Sequence, residues 1–220
     1  MPVLVDGGQS IEYTVSVRPR RRRPGISVSS EGKLMVLLPP GADPSQAEAL
    51  VRGNLGWIAR HLPPPHSFAE GDRFWLLGRV QRLVLGASAV SSGAGQIAIS
   101  AVDPSLVRQE LIGWYRRHAA ELLSERIQIY RQTMGVEIAS VRLGDYASRW
   151  GYCRQDGRVA FNWRIIQADL SVVDYVVVHE LAHRRWMDHQ SRFWREVGET
   201  LPEYGLARSW LRNNGCQLLW

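Results

Sequence analysis

The sequence predicts an α+β protein: a small twisted sheet packed on helices, preceded by a β-rich N-terminal lobe. Three observations predict it. The first hundred residues fall mainly into short strand-like runs separated by turn residues. From Asp103-Pro104 the apolar spacing turns helical and stays so to about Met134. Later, Ser171-x-x-Asp174 stands as a capping box directly before a strongly apolar helix, Val172 to about Arg185. The expected division is a β-rich lobe over 1–100 and a mixed α+β domain over 101–220, with one continuous domain as the alternative. A chain of 220 residues can bury a proper core in either.

The elements follow in order. Ile11 to Val17 and Ile26 to Val28 alternate, and Lys33 to Leu38 is an apolar run ended by Pro39 and Pro40. Asp43-Pro44-x-Gln46 opens a helix whose apolar face runs to about Ala59, and Pro63-Pro64-Pro65 stops it. Strands resume at Arg73 to Leu77, Val80 to Leu85 and Gln96 to Ala101. The long helix begins at the Asp103-Pro104 cap and stops at Gly135. Strands are expected at Val136 to Leu143 and Arg158 to Ile166, then helices at Ser191 to Thr200 and Glu203 to Asn213.

Composition excludes several classes. Hydrophobic residues make up 45% and charged residues 22%, ordinary for a globular chain. No apolar run approaches the ~20 residues that span a bilayer. Met1 to Ser10 lacks the basic start and apolar core of a secretory signal. Two cysteines, Cys153 and Cys216, are too few for a disulfide framework, so a cytoplasmic location is expected. Removing Arg18, Arg20, Arg21, Arg22 and Arg23 from the net charge of +6 leaves +1. That cluster is read first as a solvated turn or edge-strand guard, and second as a nucleic-acid contact.

The segment that carries chemistry is His179-Glu180-Leu181-Ala182-His183. One helical turn separates the two histidines, so their imidazoles share a face and can share a zinc ion at ~2.0–2.1 Å. Glu180 lies about 100° round the helix, beside the metal, where it can take a proton from zinc-bound water. Val176, Val177, Val178 and Leu181 make this helix apolar on several sides, and imidazoles on such a helix call for a partner. The third ligand expected is His189, with Glu196 or Glu199 as the carboxylate alternative. Trp186 stands where the metzincins place a turn-making glycine. Arg149, Tyr152 and Tyr204 are candidates for stabilising developing negative charge, against a packing role for each. Val159 to Arg164 reads as a strand by alternation, and resemblance to the zincins is what implies that it borders the cleft and pairs with a peptide. Cys153 is read as a core residue, and His61, His66 and His118 are assigned no role.

Four stretches together carry a resemblance: Arg149-Trp150-Gly151-Tyr152-Cys153, Phe161-Asn162-Trp163-Arg164, Asp174 to His183, and Asp188-His189-Gln190-Ser191-x-Phe193-Trp194. They resemble the YgjP-type metal-dependent hydrolases, grouped with the zincin metallopeptidases and akin to the SprT-like proteases. The resemblance implies a zincin-like fold, His179, His183 and His189 as Zn2+ ligands, Glu180 as the catalytic residue, and a peptide or protein substrate. Two departures stand out. Tyr152 replaces the family's serine, and Ala168-Asp169 replaces Ala-Pro. Rival readings are a DNA-associated SprT-like protease using the arginine cluster, a metal-dependent nucleotide phosphohydrolase, and a non-catalytic zinc-bound module.

Overall fold

A computed structural model describes residues 2–6, 9–29, 32–63, 66–146 and 148–220. Strands β1 (Val3–Asp6), β2 (Gln9–Val17), β3 (Gly25–Val28) and β4 (Leu34–Leu38) form a sheet in the order β1-β2-β4-β3. Along β4 the period-2 pattern buries Leu34, Val36 and Leu38, which pack with Ala47, Val51 and Ile58 of two helices. Those helices are α1 (Ser45–Gly53) and α2 (Leu55–His61), where one helix was expected. Asn54 breaks it: its backbone leaves helical geometry (φ −126°, ψ 21°) while its side chain donates to the Leu50 carbonyl at 2.8 Å.

A second mixed sheet joins β5 (Arg73–Leu76), β6 (Arg79–Val84), β7 (Ser91–Gly93) and β8 (Gln96–Ala98), in the order β5-β6-β8-β7. Helix α3 (Pro104–Met134) starts and ends where its caps dictate. Asp103 accepts from the amides of Ser105 and Leu106, and Gly135 takes the left-handed conformation (φ 60°) that closes the last turn. Its buried side, Val107, Leu111, Tyr115, Ala119, Leu123 and Ile127, recurs at every fourth residue.

Strands β9 (Ser140–Gly144), β10 (Gly151–Cys153) and β11 (Arg158–Asn162) form the third sheet, with β11 central, antiparallel to β10 and parallel to β9. The expected strand to Ile166 stops at Asn162, whose side chain accepts from the Arg164 amide at 3.1 Å and turns the chain into a buried 3₁₀ segment. Helices α4 (Leu170–Ala182), α5 (Ser191–Thr200) and α6 (Tyr204–Asn214) complete the chain. The capping box does not form. Asp169 caps α4, accepting from the Ser171 amide at 3.0 Å and hydroxyl at 2.9 Å, because Asp174 is committed to Arg126 at 2.6 and 2.8 Å. The Asp169 that departs from the family pattern is thus a working helix cap.

The chain divides into two compact units, Met1–Pro65 with Asn214–Trp220, and His66–Asn213. Strands β5–β8 share the second unit with α3 and α4. Hydrogen bonds that no local pattern reveals join them. Leu77 and Gly78, at the β5–β6 turn, donate to the carbonyls of Ile166 and Gln167, and the Tyr115 hydroxyl donates to the Trp75 carbonyl at 2.6 Å. The architecture is α+β, with six α-helices and small mixed sheets among the described residues. None of the helices is long and apolar enough to cross a membrane.

Candidate metal centre

Helix α4 is buried almost throughout: Val172, Val173, Val176, Val177, Val178, Leu181 and Ala182 are all enclosed. An apolar helix of this kind fixes the polar groups it carries, because any rotation would bury them unpaired. The helix ends at Ala182, so His183 forms its C-terminal cap. Beyond it, the amides of Arg185 and Trp186 still bond back to Ala182, and the chain reverses without a glycine. That reversal brings the Trp186 carbonyl to 2.9 Å from His183 Nδ1. A carbonyl only accepts, so Nδ1 carries the proton and the Nε2 lone pair is left for another partner.

His189 is returned to the helix by two further contacts. Asp188 accepts from the Gln190 amide at 3.2 Å, and the Trp194 indole donates to the His189 carbonyl at 3.0 Å. The result places ring nitrogens of His179, His183 and His189 within 4.8 Å of one another. His179 Nε2 and His189 Nε2 stand 3.1 Å apart. Nitrogens bound tetrahedrally to one zinc at ~2.0–2.1 Å would stand ~3.3 Å apart, so the spacing fits a shared ion. Phe193, fully enclosed, backs the cluster with ring centroids 4.9, 4.7 and 4.8 Å from the three imidazoles.

Electrostatics suits the same reading. Burial, then the neighbouring His183, His189 and Arg208, push His179 down to about 3, so it is a neutral imidazole with a lone pair to give. Burial also lowers His183, against the opposing Trp186 hydrogen bond. His179 Nδ1 is buried with no partner among the described residues. Neutral imidazoles in an apolar setting are the donor set a borderline-soft dication takes.

Glu180, 5% exposed, lies against Gly151. A Cβ at Gly151 would come within 2.7 Å of Glu180 Cγ and Oε1, so glycine there makes room for the carboxyl. Burial pushes Glu180 up to about 8, opposed by the charge of Arg149. The strand bearing Gly151 is held by Asn162, whose amide donates to the Trp150 carbonyl at 2.7 Å and whose side chain donates to that of Tyr146 at 2.9 Å. Below it, Arg164 is fully buried and forks onto Asp145 through Nε and an Nη, each at 3.1 Å.

The remaining expectations sort as follows. Glu196 faces elsewhere, bound to Arg185 at 2.5 Å and to the Trp186 indole at 3.4 Å, and Glu199 is exposed. The strand expected to border the cleft, β11, has neighbours on both sides; the edge beside Glu180 belongs to β10, which was not foreseen. Asp156-Gly157 between them, with Gly157 at φ 84°, is the hairpin signal that could have revealed β10. Tyr152 lies under Arg149 and Arg154, each 5.8 Å from its ring centre. Cys153 is half-buried on that edge strand rather than in the core, and is a free thiol. Tyr204 stacks between Trp194 and Tyr175, at 5.5 and 6.5 Å. His61 and His118 bond the Trp57 and Trp114 carbonyls, and His66 stacks on Phe74 at 4.7 Å. The arginine cluster lies on the connection between β2 and β3, largely exposed.

A family model described as YgjP-like, metallopeptidase domain, matches residues 22–214. No curated protein matches the chain. A solved structure, the metallopeptidase zymogen abylysin of Pyrococcus abyssi, is similar at 19% identity over 41% of this chain and 93% of its own, with a TM-score of 0.38. A score at that level does not bear on the fold.

Proposed function

This chain belongs to the YgjP-like metallopeptidase family, and from that premise we propose that it is a zinc-dependent peptidase of zincin type in which Glu180 is the catalytic base. Family membership supports a metal-dependent hydrolase acting on peptides; the metal's identity, its ligands and the mechanism are our reading. The observation that carries it is the convergence of three imidazole nitrogens within 4.8 Å beside a buried glutamate.

His179, His183 and His189 would hold the ion, three protein ligands leaving one position for water or substrate. When bound, the ion supplies Lewis acidity, making water a stronger acid and a carbonyl a better electrophile. Glu180 accepts the proton of the attacking water at a carboxylate oxygen and delivers it to the leaving amine. Arg149 favours the ionised carboxylate that this first transfer needs, against the burial that opposes it. Packing on Gly151 restricts the carboxyl to one region, so acceptor and water meet in a fixed arrangement. The unpaired side of β10 offers backbone donors and acceptors to an extended peptide beside Glu180. Two free thiols suit a reducing compartment, consistent with the cytoplasm.

Glu180→Gln tests the assignment. The variant is expected to retain one zinc per chain, measured by atomic emission, while kcat/KM on a cleaved peptide falls about a thousandfold. An unchanged rate removes Glu180 from the chemistry.

A further inference from the structure

One flank of the imidazole cluster is an open groove of about 1010 Å3, bordered by His189, Trp194, Arg195, Tyr204 and Arg208 together with Gln190 and the start of α5 at Ser191 and Arg192. Its walls hold three arginines and no carboxylate. Arg192 is answered by Asp188 at 2.9 Å. Arg195 and Arg208 have no ion pair among the described residues, and both are exposed. Arg208 is nonetheless held in place: its guanidinium lies 4.2 Å above the Trp194 ring, and that ring stacks on Tyr204 at 5.5 Å, with an interplanar angle of 14°.

Cations gathered around a site built for a dication repel it and one another. Near the site Arg164 is matched by Asp145, Arg185 by Glu196 and Arg192 by Asp188. Arg195 and Arg208 lack such a match among the described residues, and a guanidinium held over an aromatic ring can present its N–H fork to a planar anion. We propose that this groove is a specificity subsite for a carboxylate of the peptide substrate, held by Arg195 and Arg208 on the His189 side of the scissile bond. The carboxylate comes from an acidic side chain or from the substrate's C-terminus. Arg208 reads its position and Arg195 adds charge at the rim. The inference rests on the peptidase reading above for the nature of the substrate.

The test uses the full chain loaded with zinc and a set of fluorogenic peptides differing at one position. Glu, Gln or Lys is stepped through three positions on each side of the scissile bond, with free and amidated C-termini. At one position or terminus the carboxylate peptide is expected to exceed its neutral counterpart about tenfold in kcat/KM, with Lys lowest. Preference following Glu assigns a side chain; preference lost on amidation assigns the C-terminus. Arg195→Gln with Arg208→Gln should bring the ratio close to one. Because the second change removes packing over Trp194, Arg195→Glu alone serves as the surface variant and should shift preference toward Lys. Binding of the same peptides to the zinc-loaded Glu180→Gln protein, by fluorescence anisotropy, separates the two readings. Charge-dependent binding with no cleavage by the wild type would sink the peptidase assignment and leave the subsite standing. Cleavage indifferent to charge would sink the subsite and leave the peptidase. Tighter, Arg195- and Arg208-dependent binding of a single-stranded oligodeoxynucleotide would overturn the carboxylate assignment in favour of phosphate.

Discussion

Arg164 and Arg208 are the same residue type in one compact unit, and the chain treats them in opposite ways. Arg164 is fully buried, with two nitrogens on Asp145 at 3.1 Å and its guanidinium 4.3 Å from the Trp163 ring. Arg208 is exposed and also rests on a tryptophan, at 4.2 Å, but no carboxylate among the described residues meets it. The same stacking geometry thus serves two ends. Beneath the site, a charge removed from water must be answered by an opposite charge, or the desolvation cost stands uncompensated. At the mouth, water solvates the guanidinium until an anion arrives, so the match can be left open. Glu180 falls between the two: buried like Arg164, yet without a salt bridge among the described residues, and pushed up to about 8 by that burial. A charge left incompletely compensated in a closed site marks chemistry more than architecture.

The largest expected effect breaks the lower pair. Asp145→Ala leaves Arg164 buried without its counter-charge and should cost about 3 kcal/mol in urea denaturation. A loss below about 1 kcal/mol would show that the pair is not what supports the floor of the site. Next is the metal itself. His189→Ala should weaken zinc binding more than about a hundredfold, exceeding the usual cost of losing an outer-shell partner, in competition with a chromophoric chelator. Glu196→Gln should bind zinc as the wild type does, because Glu196 is engaged by Arg185 and Trp186. The reverse ranking would return the carboxylate to the ligand set. The smallest effect concerns the contact between edge strand and base. Gly151→Ala places a methyl 2.7 Å from Glu180 Cγ and Oε1, so the carboxyl must shift. About a tenfold drop in kcat/KM with unchanged zinc content is expected. An unaltered rate would mean that Glu180 works from a position the glycine does not control.

Much of this was legible because it is local. Asp103 and Gly135 bound α3 through bonds to residues next to them, and their identities alone announce the ends. The spacing of His179 and His183 implies a shared helix face by geometry alone. Helix α5 was expected over the very residues it occupies. Some misreadings are non-local, and others turn on a single side chain or on an element too short to register. Ser171 and Asp174 have the spacing of a capping box, but Arg126, far off in the chain, claims Asp174. Asn162 ends β11 with its own side chain, which also donates to the Tyr146 carbonyl. Strand β10 is three residues long, too short for any alternation to register.

What the chain's order of residues determined by itself is the shared face of His179 and His183 with Glu180 beside it, because a helix converts spacing into direction within one turn. Tertiary structure alone decided which glycine admits the Glu180 carboxyl, which strand edge faces it, and which arginines stay unmatched. Those depend on contacts between segments distant in the chain, where packing and the matching of buried charge choose among partners that no local pattern ranks.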